Sequence, residues 1–289
     1  MIFAHGNLPP PPGVPDVLGV WPLEPFVWAA VALVAWWYVR AARRVRSWPR
    51  FRLAAFLAGV GTAFIALASP VAVYAGVLFS VHMTQHLLLT LIAAPLLLLG
   101  APGNLALRSA SVGARRGLVR VFHSGPARAL THPVVAWSLF AGTMWITHFT
   151  GFYDGALENS ALHALEHGLY LGVALLFWMP VIGVDPIGVR LSHPVRLGYL
   201  IVALPQQSFL GLALWSTSRV IYPHYATLER SWGQSPLDDQ RAGALIMWIG
   251  GDLVFVAALV AVAIAWMRHD EREAARIDRR LGAPTPHHL

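Results

Sequence analysis

The sequence predicts an all-α, polytopic membrane protein, a bundle of seven transmembrane helices, and two observations lead to this class. Of the 289 residues, 56% are hydrophobic and only 12% are charged, whereas soluble domains contain about 25% charged residues. Nearly uncharged apolar runs occupy 27–39, 53–68, 87–99 and 253–267. With their flanks these runs reach the roughly 20 residues that a helix needs to cross a bilayer.

The boundaries of the predicted spans follow from the proline, glycine and arginine clusters that interrupt the apolar runs. The seven spans are expected near 26–42, 52–69, 78–99, 133–149, 160–181, 196–215 and 240–267. We therefore divide the chain into a Pro-rich extracytoplasmic tail (1–25), a seven-helix transmembrane domain (26–267) and an Arg-rich cytoplasmic tail (268–289).

The distribution of arginine predicts the orientation of these spans. All 21 basic residues are arginine, and 18 of them lie in the segments 40–52, 108–128, 190–196 and 268–280. In a seven-span chain these four segments lie on one side of the membrane. Because basic residues concentrate in cytoplasmic loops, the N-terminus is expected outside and the C-terminus in the cytoplasm. The net charge of +7 thus indicates topology and gives no reason to expect a nucleic-acid partner.

Histidines cluster at the predicted extracytoplasmic ends of two spans. His82 and His86 begin the third span, while His163, Glu166 and His167 begin the fifth. A spacing of four residues places each histidine pair on one helix face. Two such helices facing each other can supply four imidazole nitrogens to one or two metal ions. The chain has no cysteine, so no thiolate site can form.

Two further residues extend this candidate ligand set. His148 lies at the extracytoplasmic end of the fourth span, four residues after Met144, and Met83 follows His82. Imidazole suits copper, zinc, iron and nickel, whereas a thioether favours Cu(I). The alternatives are that single histidines make interfacial or interhelical hydrogen bonds and that the methionines fill gaps in the core.

Polar residues also lie deeper in the predicted bundle. Asp252 is near the middle of the seventh span, and Gln206 and Gln207 are midway along the sixth. Intramembrane ionisable groups usually face a bundle interior or a water path. Asp252 either pairs with a neighbouring helix or belongs to a proton or ion path, and the sequence leaves both alternatives open.

Three segments resemble signatures of a known family. They are HMTQHLLLTLIAAPLLLLGAP (82–102), HALEHGLYLGVALLFWMPVIG (163–183) and WGQSPLDDQRAGALIMWIGG (232–251). They are similar to the multi-spanning CtaG-type assembly factors of aa- and caa-type cytochrome c oxidases, over about residues 25–267. This family is distinct from the single-span, cysteine-bearing copper protein that shares the CtaG name.

The resemblance implies a role in the maturation of heme-copper oxidase, with insertion of copper into the catalytic subunit. We expect a multi-pass protein of the bacterial inner (plasma) membrane. Because binding and transfer of copper require no turnover of a substrate, we do not expect an enzyme. We carry a metal role onto His82, His86, His163 and His167, and a weaker one onto Asp239, which would ligate the metal or orient a histidine. The oxidase catalytic subunit is the expected partner, with an extracytoplasmic copper donor protein and a second copy of the chain as further candidates.

Other functions also fit the histidine pattern. A b-type heme clamped by one imidazole from each helix, such as His86 and His167, would make the protein an electron-transfer protein. A metal-free scaffold would use the histidines for interhelical hydrogen bonds. A di-iron carboxylate site, suggested by HALEH, is disfavoured because such sites use several glutamates and the cluster holds only Glu166.

Overall fold

The computed structural model describes residues 8–13 and 19–281, and this part of the chain is helical with no strand. The predicted all-α class is therefore confirmed. The parts of the two predicted tails at 1–7, 14–18 and 282–289 lie outside the described residues.

The first half of the chain forms a helical pair followed by a long composite helix. The helices are α1 (Pro25–Arg44), α2 (Arg50–Ala68), α3 (Pro70–Ala75), α4 (Phe79–Leu87), α5 (Ala94–Leu99), α6 (Pro102–Ser109), α7 (Val112–Phe122) and α8 (Gly125–Leu130). A π-helical turn, Leu88–Ala93, joins α4 to α5 without a break. Such turns occur mostly as single insertions within α-helices and are frequent at functional sites.

The second half of the described chain consists of four long helices and three short ones. The helices are α9 (Pro133–Phe149), α10 (Phe152–Glu158), α11 (Ser160–Ile182), α12 (His193–Trp215), α13 (Pro223–Thr227), α14 (Pro236–Leu245) and α15 (Gly251–Leu281). A second π-helical turn, Ile246–Gly250, joins α14 to α15. The polar C-terminal segment continues α15 because its arginine, glutamate and alanine residues are strong helix formers.

Six helical segments of the described chain are long and apolar enough to cross a membrane, and each contains an 18-residue stretch whose mean hydropathy lies between 1.3 and 2.3. They are Pro25–Arg44, Arg50–Ala68, Phe79–Ser109, Ser160–Ile182, His193–Trp215 and Pro236–Arg280. The fourth predicted span exists as α9 but has only 17 residues, which at 1.5 Å per residue reaches about 26 Å. The protein is thus a helical membrane protein, while the seventh crossing and the orientation stay predictions.

The core lies where α4, α9, α11, α12 and α15 pack together. It contains Phe79, Phe140, Phe177, Leu210 and Phe255, all at most 2% exposed. A separate, smaller core joins α1 to α2, where the rings of Tyr38 and Phe56 stack with centroids 3.7 Å apart.

Candidate metal centre

The first turn of α4 is held by a carboxylate from α14. Asp239 accepts hydrogen bonds from the backbone N–H of Phe79 at 2.7 Å and from the Ser80 hydroxyl at 2.5 Å. Helix α14 approaches closely because Gly243 has no side chain, and a Cβ there would lie 2.7 Å from Cε1 of Phe79. This anchor sets the position of His82 and His86, which follow on the next two turns.

The first turn of α11 is capped by Asn159, whose side-chain oxygen accepts hydrogen bonds from the N–H groups of Ala161 and Leu162. An asparagine cap satisfies backbone donors that a helix start otherwise leaves unpaired. His163 and His167 therefore project from the first two turns of α11, toward α4.

The imidazoles of α4 meet the carboxylate of α11 in the interior. The Nε2 atoms of His82 and His86 lie 2.8 Å apart. The Glu166 carboxylate lies 3.8 Å from Nε2 of His82 and 3.9 Å from Nε2 of His86. His82 and Glu166 are fully buried and His86 is 4% exposed.

The α11 histidines complete the cluster. The His163 ring lies 5.6 Å from the His82 ring, and the His167 ring lies 6.2 Å from the His86 ring, between centroids. Two sets of three ligand atoms lie within 4.8 Å of one another: His82, His86 and His167, and His82, His163 and Glu166. We call His82, His86, His163, Glu166 and His167 the histidine cluster.

Several buried ligand atoms of the cluster have no hydrogen-bond partner in the described chain. They are Nε2 of His163, Nε2 of His167 and both carboxylate oxygens of Glu166. Leaving such atoms unpaired costs free energy, and a bound cation would provide a partner for them. Ligands of a tetrahedral ion with bonds of about 2.0–2.2 Å lie roughly 3.3–3.6 Å from one another. The carboxylate–imidazole distances of 3.8 and 3.9 Å need only small adjustments to reach that geometry.

A tyrosine from α13 sets the tautomer of His82. The Tyr225 hydroxyl donates to the Ala75 carbonyl at 2.9 Å, so it accepts from Nδ1–H of His82 at 3.1 Å. Burial raises the pKa of the Tyr225 phenol well above its usual value, which keeps this donor proton in place. Nε2 of His82 is therefore left with its lone pair directed at the cluster.

His148 lies beside the cluster but outside both ligand sets. Its Nδ1–H donates to the Met144 carbonyl at 2.7 Å, and its Nε2 is buried without a partner in the described chain. The centroid of its ring lies 6.4 Å from that of His86. His148 thus has a free lone pair next to the cluster.

The structure places the two remaining predicted ligands away from the ligand sets. Met83 is fully buried within the main hydrophobic core. Both oxygens of Asp239 are occupied by the first turn of α4, so it acts on His82 only through the helix that it anchors. The metal roles of Met83 and Asp239 stay predictions.

Sequence reasoning missed the tyrosines around the cluster. Tyr170 contacts the His86 ring at 4.3 Å between centroids, and Tyr153 contacts the His82 ring at 4.9 Å. Tyr170 lies three residues after His167, so helical spacing could have revealed it. Tyr225 lies 143 residues from His82, and no local pattern links the two.

A cavity of about 460 Å³ opens beside the cluster, between α11 and the start of α1. His163 and His167 line one wall, and Glu24, Gln85 and the apolar residues of α2 and α3 line the others. Both of these histidines are half-buried, in contrast to His82. The cluster is therefore closed on the α4 side and accessible on the α11 side.

The chain matches the family of cytochrome c oxidase caa3 assembly factors (Caa3_CtaG) over residues 32–269. This range includes every residue of the histidine cluster.

Three curated mycobacterial proteins are also similar to the chain. Uncharacterized protein Mb0105 of Mycobacterium bovis and uncharacterized protein MT0111 of Mycobacterium tuberculosis are each 34% identical over 96% of this chain. Uncharacterized protein ML1998 of Mycobacterium leprae is 33% identical over the same share. The chain spans 44% of the length of each of these relatives. No solved structure matches the chain.

Proposed function

Since the chain belongs to the family of cytochrome c oxidase caa3 assembly factors, we propose that it is a copper-handling assembly factor. In this proposal the histidine cluster binds copper as cargo and releases it to the catalytic subunit of a heme-copper oxidase. The observation that carries the proposal is the convergence of four imidazoles and one unpaired carboxylate in the interior. The protein handles an ion and does not turn over a substrate.

The donor set supports copper as the cargo. The cluster offers imidazole nitrogens and one carboxylate, and imidazole ranks among the ligands that copper prefers. A single carboxylate within 4 Å of two imidazoles lowers the cost of placing a cation in a low-dielectric interior. The hydrogen bond from His82 to Tyr225 holds one ligand ready, as outer partners of metal-bound histidines usually do.

The large cavity supports exchange of the ion. Transfer to another protein requires that a new ligand reach the ion before the old ligands leave. His163 and His167 line the cavity, so an incoming ligand would approach from the α11 side and displace these two first. His82 and His86, on the closed side, would release the ion last.

The arginine distribution supports transfer of the ion at the extracytoplasmic surface. If the Arg-rich connections face the cytoplasm, the cluster lies at the extracytoplasmic surface of a bacterial inner membrane. A catalytic subunit whose copper site opens toward that surface would dock over the cavity, and an extracytoplasmic donor protein would load the cluster from the same side.

The test is the copper content of the full chain, purified without a polyhistidine tag. We expect bound copper in the wild type and less of it in His82→Ala/His163→Ala, which lacks two ligands of the histidine cluster. The matched control is His123→Ala/His132→Ala, which also removes two histidines but at the opposite end of the bundle, where both are exposed. Equal, near-zero copper in the wild type and the cluster variant would instead support a metal-free scaffold. A Soret band from the purified protein would support the heme alternative.

A further inference from the structure

A second, smaller cavity is bordered by His86 but not by Glu166. Its volume is about 10 Å³, close to that of a single bound water or ion. It is enclosed by α4 and its π-helical turn, α9, α12 and the π-helical turn before α15. The lining residues are His86, Leu87, Thr90, Leu91, Phe140, Met144, His148, Gln207 and Met247.

Two imidazoles line this cavity with ring nitrogens that have no hydrogen-bond partner in the described chain. They are Nε2 of His148 and Nδ1 of His86, whose side chains are 1% and 4% exposed. Because Nδ1–H of His148 donates to the Met144 carbonyl, its Nε2 carries a lone pair and no proton. A buried acceptor atom without a hydrogen-bond donor in the protein is usually paired with a bound water or ion.

Two thioethers line the same cavity. Met144 and Met247 are 6% and 3% exposed, and both border the cavity. Met247 lies within a π-helical turn, Ile246–Gly250, and Thr90 and Leu91 lie within the other. Both π-helical turns of the described chain therefore border one cavity.

The chemistry of the lining favours one metal ion. Imidazole and thioether together suit Cu(I), and harder divalent ions prefer carboxylate oxygens. In the part of the chain that the structure describes, no carboxylate borders the cavity, so the lining offers no negative charge to neutralise a bound cation. A monovalent ion is the least costly cation to place in such surroundings.

We propose that this cavity is a second Cu(I) site, formed by Nε2 of His148 and the thioethers of Met144 and Met247. The inference rests on the proposed function for the supply of copper. His86 belongs to both sites: its Nε2 lies 2.8 Å from Nε2 of His82, its Nδ1 has no hydrogen-bond partner in the described chain, and the residue borders the smaller cavity. A neutral imidazole has one lone pair, so His86 serves one site at a time and links the two.

The test uses the absence of cysteine from the chain. Any sulfur bound to copper must come from methionine, and X-ray absorption at the copper edge distinguishes sulfur from nitrogen and oxygen neighbours. The full chain would be loaded with Cu(I) under reducing conditions. We expect a sulfur contribution in the wild type and its loss in Met144→Leu/Met247→Leu, together with about one copper ion per chain. Leucine keeps the volume of methionine, and the thermal unfolding midpoint checks that the variant folds.

The control is Met179→Leu/Met267→Leu, which removes one half-buried and one exposed thioether that do not border the cavity. It should keep the sulfur signal, and loss of that signal would overturn the assignment. In His82→Ala/His163→Ala, sulfur-bound copper should persist while the remaining copper is lost.

The outcomes separate the two proposals. If copper in the wild type has only nitrogen and oxygen neighbours, the second site is refuted and the cavity holds a water molecule. The proposed function would still stand in that case. Absence of copper from the wild type would overturn the proposed function, and the second site with it.

Discussion

Nδ1 of His82 lies 3.1 Å from the Tyr225 hydroxyl, which itself donates to the Ala75 carbonyl. This chain of hydrogen bonds runs from the end of α3 through α13 to the centre of the histidine cluster. It determines which nitrogen of His82 faces Glu166, and hence which nitrogen can bind a metal.

We expect Tyr225→Phe to weaken copper binding by about 10- to 100-fold, the usual cost of losing an outer partner of a metal ligand. Without the phenol, Nδ1–H of His82 has no acceptor in place, and the ring is free to adopt the other tautomer. The measurement is a competition titration with a Cu(I) chelator. Tyr199→Phe is the control, because it removes a hydroxyl that donates to the Phe177 carbonyl instead. Equal affinities for the two variants would refute the positioning role of Tyr225.

Glu166→Gln should have opposite effects on affinity and on stability. The variant loses the only carboxylate of the cluster, so copper binds at least about tenfold more weakly. The metal-free protein becomes more stable by roughly 1–3 kcal/mol, because Glu166 is fully buried with both oxygens unpaired.

Copper titration and thermal unfolding of the metal-free protein measure these two effects. Glu158→Gln on α10, where the side chain is exposed, should change neither quantity. A less stable Glu166→Gln protein would show that the carboxylate has a structural role in the absence of metal.

Gly243→Ala should disturb the cluster from a distance. The new Cβ would lie 2.7 Å from Cε1 of Phe79 and 3.2 Å from Cα of Ser80, so α14 and α4 must separate. Overpacking of this kind costs about 1–3 kcal/mol, and the Asp239 anchor should loosen with a loss of copper affinity.

The matched control for this change is Gly172→Ala on α11, where a Cβ meets nothing within 4 Å. There the substitution should be neutral or stabilising by about 0.5–1 kcal/mol. Differential scanning fluorimetry in detergent compares the two variants, and equal midpoints would contradict the close approach of α14 to α4.

The membrane topology can be determined by labelling single introduced cysteines, because the natural chain has no cysteine. We expect a membrane-impermeant thiol reagent to label Thr150→Cys and Ala161→Cys from outside the cell. Ser111→Cys should react only after the membrane is opened. All three positions are exposed.

Labelling of Thr150→Cys and Ser111→Cys from the same side would mean that α9 does not cross the membrane. If only Ser111→Cys is labelled from outside, the orientation is opposite to the predicted one and the histidine cluster lies at the cytoplasmic surface.

The all-helical membrane class and the two histidine-bearing helix starts follow from the sequence by itself. Apolar runs without charge must form helices in a bilayer, because each backbone polar group has to find its partner within the segment. The spacing of His82 and His86, and of His163 and His167, is local and depends only on helix geometry. The number of crossings does not follow as directly, because the 17 residues of α9 lie near the shortest length that can span the bilayer.

Only the tertiary structure decided which of these polar residues meet. It placed Glu166 beside His82 and His86, assigned Asp239 to the anchoring of α4, and set His148 apart in its own cavity. It also brought Tyr225 to His82 from 143 residues away. Helical periodicity identifies the face on which a side chain lies, whereas the partner of that face depends on the packing of segments that are far apart in the chain.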